Sequence, residues 1–560
     1  MDPIGTSCFS LNIEENARAI LEEKKQDEKF QEIIVSCRSL SRYEGKKTKT
    51  LVPQLVAASL AALYHLVVGI SLAYSAILLP QLREDKDFNL TKDEESWIAS
   101  IIVLTVPIGA PIGGILMDMI GRLNTVKLAA IPGIIGWTLI ATAHNLPMML
   151  LGRVFNGFAS ALGTGPAIVY LTEIARADMR GSLISLAPAY TSFGMVLVYA
   201  KGWVMNWRTV AWLSNIYTIV PCILIMFIPE SPAWLVSKGR TEAALESLNW
   251  INKYQPQPEN RAESLAELQL AALQKEHQKK MESEALNGTG IVNRIKDFMK
   301  PTGYKPLIIL VGLFFFQQFA GIYITLFYSV ELFKEVGSTM NPYLASVLLG
   351  TLRCLMSMVN TYMLRTFRRR PLIMTSGVGM AICMCVSALF TKWIKEKETD
   401  QTWIPVAALA MYVVTSMIGL LNIPWTMTAE LFPIEIRGMA HSLSNAFAYL
   451  LMFVAIQTYY GMKDFFEGLV GMQLFYAAVS VSGSFYVLLV LPETHKKKLK
   501  EIEEYFIHNT FYLCQNKKVS NTTKKTRAKN VPKMTKLTTK DIVRNVKDVN
   551  TSQSEKLLPR

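Results

Sequence analysis

EIARADMRG, at residues 173–181, has a second copy in ELFPIEIRG, at residues 430–438. In each copy a carboxylate is followed seven positions later by Arg and then Gly, and each copy lies between two apolar segments of membrane-spanning length. The repeat divides the chain into halves. It also sets a charged corner at one membrane face in each half, where a two-state device would hold itself shut.

Outward from these corners, composition fixes the solvent. Of the 560 residues 51% are hydrophobic, and the mean hydropathy is positive. Apolar runs of about 20 residues recur along the chain, so most of it lies in a bilayer and no soluble catalytic domain is expected. The formal charge of +14 comes mainly from the termini and one set of loops. Beside so many spans, a basic surface of this kind suits anionic lipid rather than nucleic acid. Cys8, Cys37, Cys222, Cys354, Cys383, Cys385 and Cys514 are odd in number and scattered, without a CxxC pair. Neither a disulfide framework nor a zinc site follows from them. Cys383 and Cys385 read as small core residues.

Residues 1–50 are polar and mixed in charge, a cytoplasmic N-terminal tail. The first six-helix half, 51–228, opens with a span at 51–79 closed by Pro80, and continues with spans at roughly 97–117, 126–143, 148–171, 183–205 and 210–228. An acidic loop after the first span holds the sequon Asn89-Leu90-Thr91, a glycosylation candidate on the outer face. Residues 229–305 turn polar, with apolar positions at helical spacing in TEAALESLNWINKY and ESLAELQLAALQKEHQKKM, as amphipathic helices under the membrane require. The second half, 306–491, carries spans at roughly 306–333, 343–364, 372–391, 404–428, 439–460 and 469–491. From residue 492 to 560 the chain is a basic cytoplasmic tail. With twelve spans, Arg122, Lys127, Arg176, Arg180, the run RTFRRR at 365–370, Arg437 and both termini share one side, which the distribution of basic residues makes the cytoplasm.

Polar groups inside spans single themselves out, because a buried amide or charge is costly without a partner. Gln317 and Gln318 lie in the seventh span, where their alternatives are helix-to-helix hydrogen bonding and ligand binding. Arg353 sits about ten residues into the eighth span and should face the cavity, with a structural partner favoured over a ligand. His65 in the first span reads as a core residue. The first span contains no Asp or Glu to carry a proton, no GxxxxGK[ST] loop suggests ATP-driven pumping, and no metal or nucleophile constellation suggests an enzyme or a cofactor.

Six motifs then stand in order at span boundaries: GR at 152–153; Y-x-x-E at 170–173 with RG at 180–181; PESPAWLVSKGR at 229–240; FFFQQFAGI at 314–322; IPW at 423–425; and PETHKKKL at 492–499. With these the chain resembles the sugar porter branch of the major facilitator superfamily, and within it the insect facilitated trehalose and hexose transporters. The resemblance implies an all-α membrane protein of twelve transmembrane helices in two pseudo-repeated six-helix halves. It implies facilitated diffusion of a sugar, trehalose or a hexose, by alternating access. Another polar or anionic solute, or a sensor that binds sugar without transport, is the alternative reading.

By the same resemblance Gln317 and Gln318 bind substrate, with Trp425, Phe327, Tyr328 and Tyr323 adding aromatic or hydroxyl contacts. Arg122, Arg153, Glu173, Arg180 and Glu230 would serve the cytoplasmic gate in one half, and Arg368, Arg369, Glu430, Arg437 and Glu493 in the other. Several positions depart from the family pattern. Tyr323 stands where many sugar porters have Asn, a fifth-span Gln is replaced near Pro188, and the eleventh-span Asn-Trp pair reads Ala448-Tyr449. The corner at Asp118, Gly121 and Arg122 has a counterpart in which Leu364 replaces Asp and Phe367 replaces Gly.

Overall fold

A computed structural model describes residues 51–176, 179–255, 264–287, 296, 298–433, 436–495, 497 and 499–508. The N-terminal tail read over 1–50 lies outside the described residues, as does the basic tail beyond His508. Among the described residues the regular structure is helical, and twelve helices are long and apolar enough to cross a membrane. The first half holds Val52–Glu84, Lys92–Ile120, Arg122–Ala141, Leu146–Ile174, Arg180–Val204 and Trp207–Ile225. The second holds Pro301–Phe327, Pro342–Thr366, Arg369–Lys395, Ile404–Glu430, Arg437–Gln457 and Leu469–Val490.

Ends of these helices are set by local chemistry. Thr91 and Glu94 form a capping box at the second span, and Asn145 Oδ1 accepts from Met148 N at 3.0 Å at the fourth. Among the described residues, three further helices lie between the halves: Pro232–Ser237, Thr241–Ile251 and Leu265–Asn287. These dock under the first half: Trp234 Nε1 donates to Asp118 O at 3.1 Å, and Tyr170 Oη donates to Pro229 O at 2.8 Å. We call this side the linker face and the other the far face. A last helix, Leu499–His508, packs by the start of the seventh span, where Lys305 Nζ donates to Phe506 O at 2.9 Å. An even number of spans therefore returns the chain to the linker face.

Two spans of the second half are broken. The seventh runs Pro301–Phe319, turns at Gly321 with φ +90°, and resumes as Ile322–Phe327 and then Ser329–Glu335. The tenth runs Ile404–Ile418 and resumes as Ile423–Glu430 after a turn at Gly419. Hydrocarbon offers no hydrogen bonds to the carbonyls such breaks release, so neighbouring helices must supply them. Here each break is satisfied by the other broken span. Tyr412 Oη donates to Ala320 O at 2.7 Å, while Gln317 Nε2 donates to Leu420 O at 2.9 Å and Leu421 O at 2.8 Å.

The halves meet along two seams. The fifth span packs against the eighth, and the second against the eleventh. At the far face the seventh span's continuation also packs against the first span, whereas the linker-face pieces of the fourth and tenth spans pack mainly within their own halves.

Candidate functional site: two charged corners, a far-face bolt and an aromatic wall

Each repeated corner folds into a cage inside its own half. In the first, Arg122 at the start of the third span grips Glu173 at the end of the fourth, with Nε–Oε2 3.0 Å and Nη2–Oε1 2.9 Å, and both side chains are largely buried. Arg122 Nη1 donates to Met117 O at 3.0 Å and to Asp118 Oδ1 at 3.2 Å. Glu230 arrives from the linker and accepts from Leu123 N at 3.0 Å and Asn124 N at 3.4 Å. Gly121 is required there: its φ is +109°, and a Cβ would stand 2.6 Å from Glu230 Oε2. Ser231 Oγ completes the cage on Glu173.

The second corner repeats this without the Asp and Gly that the sequence lacks. Arg369 Nη2 donates to Glu430 Oε1 at 2.9 Å, and its Nη1 bonds Leu364 O, five residues back as Met117 is from Arg122. Glu493 accepts from Arg369 N at 3.0 Å and Arg370 N at 3.3 Å, the role Glu230 plays in the first half. Thr494 Oγ1 donates to Glu430 Oε2 at 2.6 Å. No glycine is needed because Phe367 and Arg368 keep φ at −101° and −70°. Arg365 stands four residues before the cage arginine, as Asp118 does, and instead reaches across the seam to Ser182 Oγ at 2.8 Å.

The other expected gate residues are placed differently. Arg180 and Arg368 are exposed beside the corners, and Arg437 donates to Phe432 O at 3.4 Å. Arg153 does not belong to the linker face at all, which corrects the expectation. It lies near the far-face end of the fourth span, fully buried, donating to Ser71 O at 2.9 Å, Ile98 O at 3.1 Å and Ser75 Oγ. Backbone carbonyls and a hydroxyl there supply what a buried guanidinium needs. His65 is buried in the first span, and Asn89 is exposed at the far face.

What joins the halves at the far face is a charge cluster that the sequence reading did not single out. Arg83 at the end of the first span takes Glu95 of the second span, with Nε–Oε1 2.6 Å, and reaches Glu331 of the second half at 3.3 Å. Tyr460 Oη contacts Glu95 Oε2 at 2.7 Å, Glu331 Oε2 at 2.9 Å and Arg83 Nη2 at 2.6 Å. Lys463 adds Glu331 at 3.6 Å and also holds Glu335. Burial, and next the Glu331 and Glu95 carboxylates, push the Tyr460 phenol well above its usual range, so it stays a proton donor at physiological pH. Two buried carboxylates are thus bridged by groups from both halves. An acid inside the expected seventh span was the available signal, since intramembrane acids mark function.

Tyr328, expected to add a sugar contact, is engaged in this closure, and Phe327, expected beside it, lies in the buried core. Tyr328 stacks on Tyr459 with ring centroids 4.1 Å apart and donates to Ile456 O at 3.3 Å. Gln317 is likewise committed: both donor contacts go to the tenth-span break, and its Oε1 accepts from Gln318 Nε2 at 3.0 Å. Gln318 Oε1 is buried and has no hydrogen-bond partner among the described residues.

Beside the breaks stands an aromatic wall. Phe314 and Trp425 lie 5.0 Å apart edge-on, and Trp425 and Tyr449 5.4 Å apart. Trp425 and Tyr449 are part-buried, with Tyr323 against both. Tyr449 therefore supplies an aromatic ring where the family pattern would put the Trp of its pair. Arg353, in the middle of the eighth span, has Tyr323 and Tyr199 as its electrostatic neighbours. Its Nε is buried without a hydrogen-bond partner among the described residues, so the structural partner expected for it is not found there. A guanidinium at that depth costs at least about 2.5–3.5 kcal/mol unless it is paired or wet.

Comparison with known proteins agrees with this architecture. The family model described as "Sugar (and other) transporter" matches residues 55–506. "Facilitated trehalose transporter Tret1" of Apis mellifera ligustica is 33% identical over 457 residues, covering 81% of this chain and 88% of that protein. "Facilitated trehalose transporter Tret1-2 homolog" of Drosophila sechellia is 32% identical over 465 residues, covering 82% and 92%. Among solved structures, the proton:xylose symporter XylE bound to 6-bromo-6-deoxy-D-glucose aligns with TM-score 0.61 at 22% identity, over 82% of this chain and 99% of that one. A partially occluded inward-open XylE from E. coli aligns with TM-score 0.63 at 19% identity, over 80% and 100%. These structural likenesses are of fold. A multi-pass membrane protein of two six-helix halves, the chain belongs to the sugar (and other) transporter family.

Proposed function

We propose that this chain is a facilitative sugar carrier of the plasma membrane, with the linker face and both termini in the cytoplasm. Trehalose and hexoses are the first candidates, since the relatives named above are facilitated trehalose transporters. The observation that carries the reading is the aromatic wall of Phe314, Trp425 and Tyr449, set beside the paired breaks of the seventh and tenth spans. A sugar ring has an apolar face that stacks on aromatic rings and hydroxyls that need fixed acceptors, and broken transmembrane helices are where transporters place such sites.

Alternating access follows from the unequal joining of the halves. The far face is bolted across the seam by Arg83, Glu95, Glu331, Tyr460 and Lys463 around two buried carboxylates, while the charged cage of each linker-face corner is tied within its own half and the exposed Arg365 reaches over the seam there, to Ser182 Oγ. The site is therefore read as facing the cytoplasm here. When the far face opens, the corners, with Arg180, Arg368 and Arg437 beside them, close together as the inner gate. Uniport is supported by Arg153, whose donors go to carbonyls and a hydroxyl, with no carboxylate paired to it among the described residues that protonation could release in the cycle.

The test is uptake of labelled trehalose and glucose into oocytes expressing the full chain, at two external pH values. Saturable, pH-independent equilibration is expected, and Trp425→Ala should lower it at least about tenfold by removing the stacking surface, with surface density unchanged. Absence of all sugar uptake at normal surface density overturns the carrier. Accumulation above the external concentration on acidification overturns uniport.

A further inference from the structure

Arg353 occupies the interior stripe of the eighth span. Ser346, Leu349, Gly350, Ser357 and Asn360 are buried along that stripe, at three- and four-residue spacing, while Leu348, Leu355, Val359 and Tyr362 are exposed on the opposite face. It lies eleven residues beyond Pro342, about 17 Å along the helix and so near mid-membrane. Its neighbours Tyr323 and Tyr199 are phenols, which offer oxygen but no compensating charge. Tyr323 is also the residue that touches the aromatic wall, through Trp425. Tyr199 belongs to the other half and donates to Leu326 O at 2.8 Å, so the guanidinium sits at the seam where the halves turn on each other.

We propose that Arg353 is an anion-accepting subsite of the sugar site, and that the favoured substrate is a sugar bearing one carboxylate, a uronic acid. The proposal rests on the sugar-carrier reading and narrows its substrate class. The ring stacks on Trp425 and Tyr449 while the carboxylate meets the guanidinium fork, the geometry that arginine matches with two parallel hydrogen bonds. One cation suits one negative charge. A sugar phosphate would bring a second charge that no described cation beside the wall offsets, and burying it unpaired is costly. Trehalose or glucose leaves the guanidinium with hydroxyl partners only.

Competition against labelled glucose uptake in proteoliposomes holding the full chain decides this, with glucuronate and its neutral isostere glucuronamide as competitors. Glucuronate should half-inhibit at a concentration about tenfold or more below that of glucuronamide, as a charge-assisted pair warrants. Arg353→Leu should abolish that difference and Arg353→Lys should retain part of it. Equal inhibition by acid and amide in the unaltered protein overturns the subsite, whether or not the variants fold. If no sugar crosses at all, the carrier reading fails, and thermal protection of the detergent-purified protein is read instead. Protection by glucuronate over glucuronamide then upholds the subsite, and equal protection or none overturns it.

Discussion

At the scale of single residues, adjacent Gln317 and Gln318 have different tasks. Gln317 feeds two backbone carbonyls that the broken tenth span leaves exposed, whereas Gln318 spends its donor on Gln317 and keeps a free acceptor. Gln317→Met strips Leu420 O and Leu421 O of their donor, at about 1–3 kcal/mol for each buried carbonyl left unpaired. We therefore expect Gln317→Met to lower the melting temperature in detergent and the surface density. Gln318→Met should hold stability within about 1 kcal/mol yet cut sugar uptake about tenfold, since its free Oε1 is available to a sugar hydroxyl. Equal stability of the two variants would show that Gln317 does not brace the break. The sequence made both amides visible, because amides inside an apolar run stand out. It could not divide their labour, because Gln317's partners lie about a hundred residues away, at a turn whose carbonyls become acceptors only after the tenth span breaks.

At the scale of elements, the spans were legible and their interruptions were not. Hydropathy averages over a window and is blind to a single backbone torsion, so 306–333 and 404–428 read as continuous spans although each turns sharply within the membrane. Glycines mark the turns, yet many helical glycines serve close packing instead, and type alone does not separate the two uses. Gly321 belongs to the first kind: its φ is +90°, and a Cβ there would stand 2.6 Å from the Tyr476 ring. Gly321→Ala should cost about 2 kcal/mol or more from the left-handed torsion and the ring displacement together. Gly114, whose Cβ would meet nothing within 4 Å, gives the control. In a paired detergent melt Gly321→Ala should fall by several degrees and Gly114→Ala should not, and equal melts would mean the turn is not strained. The corners show the converse case. The sequence sets Leu364 and Phe367 in the places of Asp118 and Gly121, whereas the cage forms one residue later, on Arg369, with Arg365 and Arg368 in those places, and extended backbone with a main-chain cap from Glu493 builds it by another route.

Across the whole molecule, sequence symmetry drew attention to the linker face, and the strongest tie between the halves in this conformation lies at the opposite one. Repetition revealed the corners because each half carries a copy. The far-face bolt is assembled from unlike parts, an arginine and an acid from one half with an acid, a phenol and a lysine from the other, so it leaves no repeat to find. Its energetic weight follows from burial. Glu95 and Glu331 are 3% and 6% exposed, and removing one charge from such a cluster unbalances the rest. Glu331→Gln takes away the acid that Arg83, Tyr460 and Lys463 share, while keeping volume and one acceptor oxygen. Fold stability should change little, because the substitution leaves untouched the apolar core that runs through both halves. The balance between far-face-closed and far-face-open states should move by about 1–3 kcal/mol, a shift of roughly fivefold to 150-fold in population. A cysteine at Ser329, fully buried beneath the bolt, reads this out in a chain otherwise cleared of cysteines. Labelling by an impermeant maleimide added outside intact cells should speed up by that factor in Glu331→Gln and in Arg83→Met. Unchanged labelling from outside would mean that the cluster does not set the balance between the two faces, leaving packing of Tyr328 on Tyr459 as the seal.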